Sequence, residues 1–109
     1  GMNLGGAFKL PFGTVKQMLA FHSSTFGDGT AGGNPCGWLL TLPEGKVYFA
    51  CDTALFSDMS LIGDEGLALA VLPIGDNYTM GPEDSIKAVK LLRPKRVAPA
   101  HYNTWPPIA

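Results

Sequence analysis

Leu67-Ala68-Leu69-Ala70-Val71-Leu72-Pro73-Ile74-Gly75-Asp76-Asn77 is an unbroken apolar run that ends abruptly in glycine, aspartate and asparagine. A run of that length, closed by turn residues, reads as a strand buried on both faces and belongs in the interior of a sheet. Downstream, Pro82 suits the first turn of a helix, and Glu83 and Asp84 are favourable near its positive end. Ile86, Val89 and Leu92 form the expected inward stripe, and Pro94 forbids continuation. Residues 96–100 then read as a last strand delivering His101.

Upstream of the run, residues 55–62 carry Leu55, Phe56, Met59 and Ile62 at helical spacing, with Gly63 placed to stop the helix. Residues 37–42 and 46–51 predict a hairpin closed by Pro43-Glu44-Gly45, so that Asp52 lies just past its second strand. An earlier hairpin pairs 7–10 with 14–22 across Pro11-Phe12-Gly13 and exits at His22. Residues 23–35, rich in Gly, Ser, Thr and Asn, are too polar for core and too long for a simple turn, which marks them as a candidate site loop. Two hairpins followed by helix, strand, helix, strand predict an α/β domain over residues 2–109, a mixed sheet with helices on one face.

At 109 residues and 46% hydrophobic, the chain suits one globular domain with a modest core. Gly1 ahead of Met2 reads as an expression scar. No stretch is apolar and long enough for a signal peptide or membrane span. A formal net charge of -1, with charges scattered, leaves no electrostatic footprint for duplex nucleic acid or an anionic membrane. The expectation is a cytoplasmic protein with neither partner. Arg93-Pro94-Lys95-Arg96 reads as a solvated helix-to-strand turn rather than a phosphate site. Cys36 and Cys51 match no disulfide framework or zinc-finger spacing and are expected to be buried free thiols. Cys51, beside Asp52 on one strand, should point to the opposite face from it.

His22 and His101 are the two histidines of the chain, and each stands with Asp52 where a strand-like run breaks into a loop. Neutral imidazole and carboxylate are donors that zinc and similar divalent metals accept, and donors distant in sequence converge when their strands lie side by side. Each also has a plainer role: a hydrogen-bonded structural histidine for His22, a helix cap for Asp52, a polar turn for His101. Asp28 and Asn77 are weaker candidates for contacts to substrate or to the ligands, and ordinary turn residues otherwise. Trp38 and Trp105 are expected to be packing aromatics.

Taken together, Ala20-Phe21-His22-Ser23-Ser24, Gly27-Asp28-Gly29-Thr30, Asn34-Pro35-Cys36-Gly37, Cys51-Asp52-Thr53-Ala54-Leu55-Phe56-Ser57-Asp58-Met59, Leu72-Pro73-Ile74-Gly75, Thr79-Met80-Gly81-Pro82-Glu83 and Ala100-His101-Tyr102-Asn103-Thr104-Trp105-Pro106 closely resemble the metal-dependent hydrolases of the metallo-beta-lactamase superfamily, and within it the small UPF0173 group. The resemblance implies a four-layer αββα sandwich with a two-metal site along one sheet edge. Its donors come from an N-terminal His-x-His-x-Asp-His motif and three later positions. Those three match His22 on the first metal, Asp52 as the bridging carboxylate and His101 on the second metal. The His-x-His-x-Asp-His motif is absent from this sequence, and Cys51 stands where the family usually has glycine.

The chemistry so implied is metal-assisted hydrolysis of an ester, amide or phosphoester, with zinc the default metal and manganese or nickel as alternatives. A catalytic site takes about three protein ligands per ion, so three donors shared between two ions predict little or no hydrolysis by an isolated monomer. The chain is thus expected to be the C-terminal half of the sandwich. Half a sandwich leaves an apolar sheet face open, and burying ~800 Å² of it is worth ~20 kcal/mol before association costs. A homodimer or higher oligomer through that face, or a separate N-terminal half as partner, is therefore expected. The alternative is a noncatalytic interaction or scaffold module derived from the same fold.

Overall fold

The structure is a computed structural model that describes residues 1–108. Its elements run β1 (Ala7–Leu10), β2 (Gly13–Leu19), β3 (Cys36–Leu42), β4 (Gly45–Phe49), α1 (Met59–Gly63), β5 (Leu67–Pro73), α2 (Pro82–Leu92) and β6 (Arg96–Ala100). The six strands form one sheet in sequence order. Tight turns join β1 to β2 and β3 to β4, and the pairs β1/β2, β2/β3 and β3/β4 are antiparallel. From β4 onward the pairs are parallel, because each connection crosses over through a helix. The expected mixed α/β sheet is the one observed.

Both helices pack on one sheet face. Leu39, Tyr48, Ala50, Ala70 and Leu72 of the sheet side meet Met59, Ile62, Ala88 and Leu92 of the helices in a single buried cluster. α2 starts where Pro82 has no N–H to lose and Glu83 and Asp84 favour the positive end. It stops at Arg93, whose left-handed backbone (φ 51°) lets its N–H close onto Val89 O. The Arg93 guanidinium then donates to Asp64 at 2.6 Å and to Leu91 O at 2.7 Å, so the basic stretch does serve as a solvated turn. No described helix is long and apolar enough to cross a membrane.

Four local expectations change. β2 ends at Leu19, so His22 sits three residues into the loop. α1 is confined to Met59–Gly63, and Gly63 lies inside it rather than beyond it. A Cβ on Gly63 would sit 2.5 Å from Leu91 O, so the glycine permits close approach of α1 to α2. The buried stripe of α2 is Ser85, Ala88 and Leu92, while Ile86 is 60% exposed. An apolar-only reading overlooks Ser85, which is buried because its Oγ donates to Pro73 O at 2.7 Å. Finally, within the 109 residues, Leu69 and Val71 of β5 are half-buried where full burial was expected.

The other sheet face carries two apolar rows across the strands. Phe8, Val15, Leu40, Val47 and Leu69 are aligned by register in one row, which Arg96 ends at the β6 edge. Trp38, Phe49, Val71 and Ala98 form the next row, flanked by Gln17. Val71 and Leu69 alternate with the buried Ala70 and Leu72, so they face away from the helices and remain half-buried.

Candidate functional site

β2 runs in the same direction as β4, because each is antiparallel to β3, and β4, β5 and β6 are mutually parallel. The loops leaving the C-terminal ends of all four strands therefore share one edge of the sheet, where ligands of parallel sheets collect. His22 follows β2, Asp52 follows β4, Gly75 follows β5 and His101 follows β6. Five residues of this edge with left-handed backbones are Cys51, Asp76, Asn77, His101 and Asn103, at φ between 54° and 61°. Such a concentration of non-glycine left-handed residues holds the loops in conformations that the surrounding contacts must enforce.

The three predicted donors converge. His22 Nε2 lies 3.9 Å from Asp52 Oδ2, and His101 Nε2 lies 3.7 Å from the same oxygen. Both separations are too long for a hydrogen bond. An ion about 2.0–2.2 Å from each of two donors spreads them by about 3.4 Å at a tetrahedral angle and about 4.2 Å at most, so either gap accommodates one. His22 also has the tautomer of a ligand. Its Nδ1 lies 2.8 Å from Ser23 O, a carbonyl to which it can only donate, so in the neutral ring Nε2 is the lone pair facing the carboxylate oxygen. A cation between the two removes the repulsion.

His101 fits less completely. Its Nδ1 is buried with no hydrogen-bond partner among the described residues, and the Gly75 backbone lies against it. Nor do three His, Cys, Asp or Glu side chains among the described residues enclose one ion-sized centre. The imidazoles instead address a shared carboxylate oxygen, as donors on either side of a bridging group do. Asp52 is free for this. α1 begins at Met59 with Asp58 at its cap position, so Asp52 does not cap it.

Two residues that sequence reading passed over hold the donors in place. Thr53 is fully buried, and its Oγ1 accepts from Phe21 N at 3.0 Å while donating to Ala54 O at 2.8 Å. Ala54 N–H donates to Phe21 O, and Met80 N–H donates to Thr53 O. The segment bearing His22, the segment bearing Asp52 and the loop after β5 are thereby tied at one buried threonine. Gly75 is the second: an added Cβ would lie 2.2 Å from His101 O and 2.7 Å from His101 Nδ1. The glycine that closes the apolar run was the visible signal for it, but the sequence does not say what approaches.

The remaining candidates are distributed around this edge. Cys51 departs from the expectation that it would point away from Asp52. Its left-handed backbone breaks strand alternation, and both residues line a cavity of about 210 Å³ with Phe49, Val71, Pro73, Ala100 and His101. Cys51 is exposed and Cys36 half-buried, and both are free thiols, so neither is buried as expected. Although the residue as a whole is exposed, its thiol is partly desolvated where it lines the cavity, and this, followed by the neighbouring Cys36 and Asp52, pushes the Cys51 pKa upward. Asp28 is the acceptor of a tight turn, taking Thr30 Oγ1–H at 2.6 Å and Thr30 N–H at 3.0 Å, which lowers its pKa. Asn77 is an exposed turn residue beside Asp76. Trp105 stacks on Tyr78 at 5.8 Å between ring centroids, and Trp38 lies on the open sheet face.

The fold has counterparts among known proteins. The model of the beta-lactamase superfamily domain matches residues 1–102, and the chain belongs to that family. More narrowly, it is 60% identical over 107 residues to a UPF0173 metal-dependent hydrolase of Thermus thermophilus, covering 98% of this chain and 48% of that protein. A UPF0173 metal-dependent hydrolase of Deinococcus radiodurans is 54% identical over 106 residues, covering 97% and 47%. The solved structure of Igni18, a metallo hydrolase from Ignicoccus hospitalis, superposes with a TM-score of 0.87 at 41% identity, over 99% of this chain and 47% of that one. The chain thus spans about half the length of the curated relatives it matches.

Proposed function

We propose that this chain supplies one bank of a divalent-metal site for hydrolysis, with His22 and His101 each holding one ion and Asp52 bridging between them. The observation that carries this reading is the approach of both Nε2 atoms to the single oxygen Asp52 Oδ2. Zinc suits two imidazoles and a carboxylate best, with manganese or nickel as alternatives. A divalent cation bound here supplies Lewis-acid polarisation of a substrate oxygen and acidifies a water at neutral pH. The chain's own part is to orient the donors: Ser23 O fixes the His22 tautomer, Thr53 ties the strand exits, and Gly75 admits His101. Three donors fall short of the roughly three per ion that an open catalytic site uses, so hydrolysis by the 109-residue chain alone is weak or nil.

Metal content per chain, with zinc affinity measured by chelator competition, tests the proposal. Zinc should bind the wild-type chain and bind at least tenfold more weakly to His22→Ala and to His101→Ala. Equal affinity in all three would remove the metal site and leave the noncatalytic module as the function of this fold.

A further inference from the structure

We propose that Cys36 and Cys51 are a redox modification site: a low-molecular-weight disulfide converts them into an intrachain disulfide beside Asp52, and that bridge weakens metal binding at the edge. The pairing follows from register. Trp38 faces Phe49 across β3 and β4, so two residues further towards the site Cys36 falls opposite Cys51. The two backbones still abut there: a Cβ on the intervening Gly37 would lie 2.7 Å from Phe49 O and 3.0 Å from Ala50 O. Directly opposed residues of an antiparallel pair have Cα atoms about 4.5–5.5 Å apart, inside the roughly 4.4–6.8 Å that a disulfide spans. The side chains share a face as well. Cys36 lies two residues from Trp38 and so on its side of β3, and Cys51 lines the cavity with Phe49 and Val71 of that same face. Desolvation, and then Cys36, raises the Cys51 pKa, which puts the two thiols within electrostatic reach of each other. Both thiols are free here, the reduced state of the pair.

The exchange balances without a metal. One cysteine sulfur, as thiolate, attacks the small disulfide, forms a mixed disulfide and expels one small thiolate. The other cysteine sulfur attacks the first, the mixed S–S bond breaks, and the second small thiolate leaves. Two protein thiols are oxidised, two small thiols are formed, and the two cysteine protons end on them. The consequence for the site is mechanical, and it rests on the metal reading proposed above, whereas the disulfide does not. Cys51 is bonded directly to Asp52, and its left-handed backbone (φ 57°) sets the direction in which Asp52 leaves the sheet. Tying Cys51 to β3 draws it out of the cavity that it shares with Asp52 and His101. Donor placement tolerates only about 0.2 Å, so Asp52 no longer meets both imidazoles as it does in the reduced chain.

The reduced chain is equilibrated with graded mixtures of reduced and oxidised glutathione, natively and in urea, then alkylated and analysed by mass spectrometry, with circular dichroism to verify the fold. The expected product is a single chain lighter by two hydrogens and free of glutathione. Trypsin cleavage at Lys46, between the two cysteines, should leave their peptides joined until reduction. At a given mixture the native chain should favour the bridge at least tenfold more than the urea-unfolded chain, because the fold holds the sulfurs opposite each other. Cys36→Ser and Cys51→Ser should each stop at one attached glutathione. Thiols that stay free in excess oxidised glutathione overturn the proposal. So does a glutathione retained on each cysteine, a bridge between two chains, or an equal preference in urea. Zinc affinity by chelator competition should be at least tenfold weaker for the bridged chain than for the reduced one, with reduced Cys36→Ser matching reduced wild type. Equal affinity in the bridged and reduced chains overturns the control of the site. Zinc bound by neither form overturns the metal reading and the coupling with it, while the mass result still decides the disulfide.

Discussion

Replacing Gly75 by alanine is the sharpest perturbation of the proposed site. Its backbone is not in the left-handed region, so alanine meets no conformational penalty and the effect is steric. The new methyl would stand 2.2 Å from His101 O and 2.7 Å from Nδ1. Carbon–oxygen contacts settle at about 3.3 Å, so the two segments must part by about 1 Å. Metal geometry tolerates only about 0.2 Å, and disturbing the groups that orient a ligand typically costs 10–100-fold in affinity. Overpacking of this kind also costs about 1–3 kcal/mol of stability, which lowers Tm by about 4 °C per kcal/mol in a domain of this size. Zinc affinity by chelator competition and Tm by calorimetry should both fall, while Gly27→Ala, with open space around its Cβ, changes neither. Wild-type values of both for Gly75→Ala would refute the steric reasoning. A lower Tm with unchanged affinity would remove His101 from the ligand set.

Thr53→Val keeps the shape but strips the hydroxyl, leaving the partly buried Phe21 N–H without its acceptor. A loss of about 1–3 kcal/mol is expected from urea denaturation, with Thr53→Ser close to wild type. Tyr48 is fully buried and its hydroxyl has no partner among the described residues, so burial, followed by the nearby Cys51, raises its pKa in the folded state. Stability linked to Tyr48 is therefore complete below its unfolded pKa of about 10 and is lost as pH climbs above it. Tyr48→Phe should be about 1 kcal/mol more stable at pH 7 and flatten the alkaline decline; steeper alkaline loss in the variant would contradict this.

Elements whose identity rests on local pattern were legible in the chain. The apolar run at β5, the Pro82 start and Pro94 limit of α2, and the Pro-Glu-Gly turn each carry their cause within a few residues. So does the position of His101 directly after β6, whereas His22 and Asp52 lie three residues beyond their strands. Sequence distance hid the rest. The convergence of the two imidazoles on Asp52 Oδ2 depends on four strands ending at one edge, and the Thr53 clamp joins residues 32 apart. Cys51 left its predicted face because a left-handed turn interrupts the two-residue period just where β4 gives way to the loop.

By itself the amino-acid order placed most strands and helices, since those follow from periodicity and turn chemistry, and its resemblance to a known family singled out His22, Asp52 and His101 as candidate metal donors. Tertiary structure alone decided that Ser85 rather than Ile86 is buried, that Gly75 lies against His101, and that Thr53 ties together the segments bearing His22 and Asp52. Burial and contact are properties of surfaces brought together across the sheet, and no short window of sequence contains both partners.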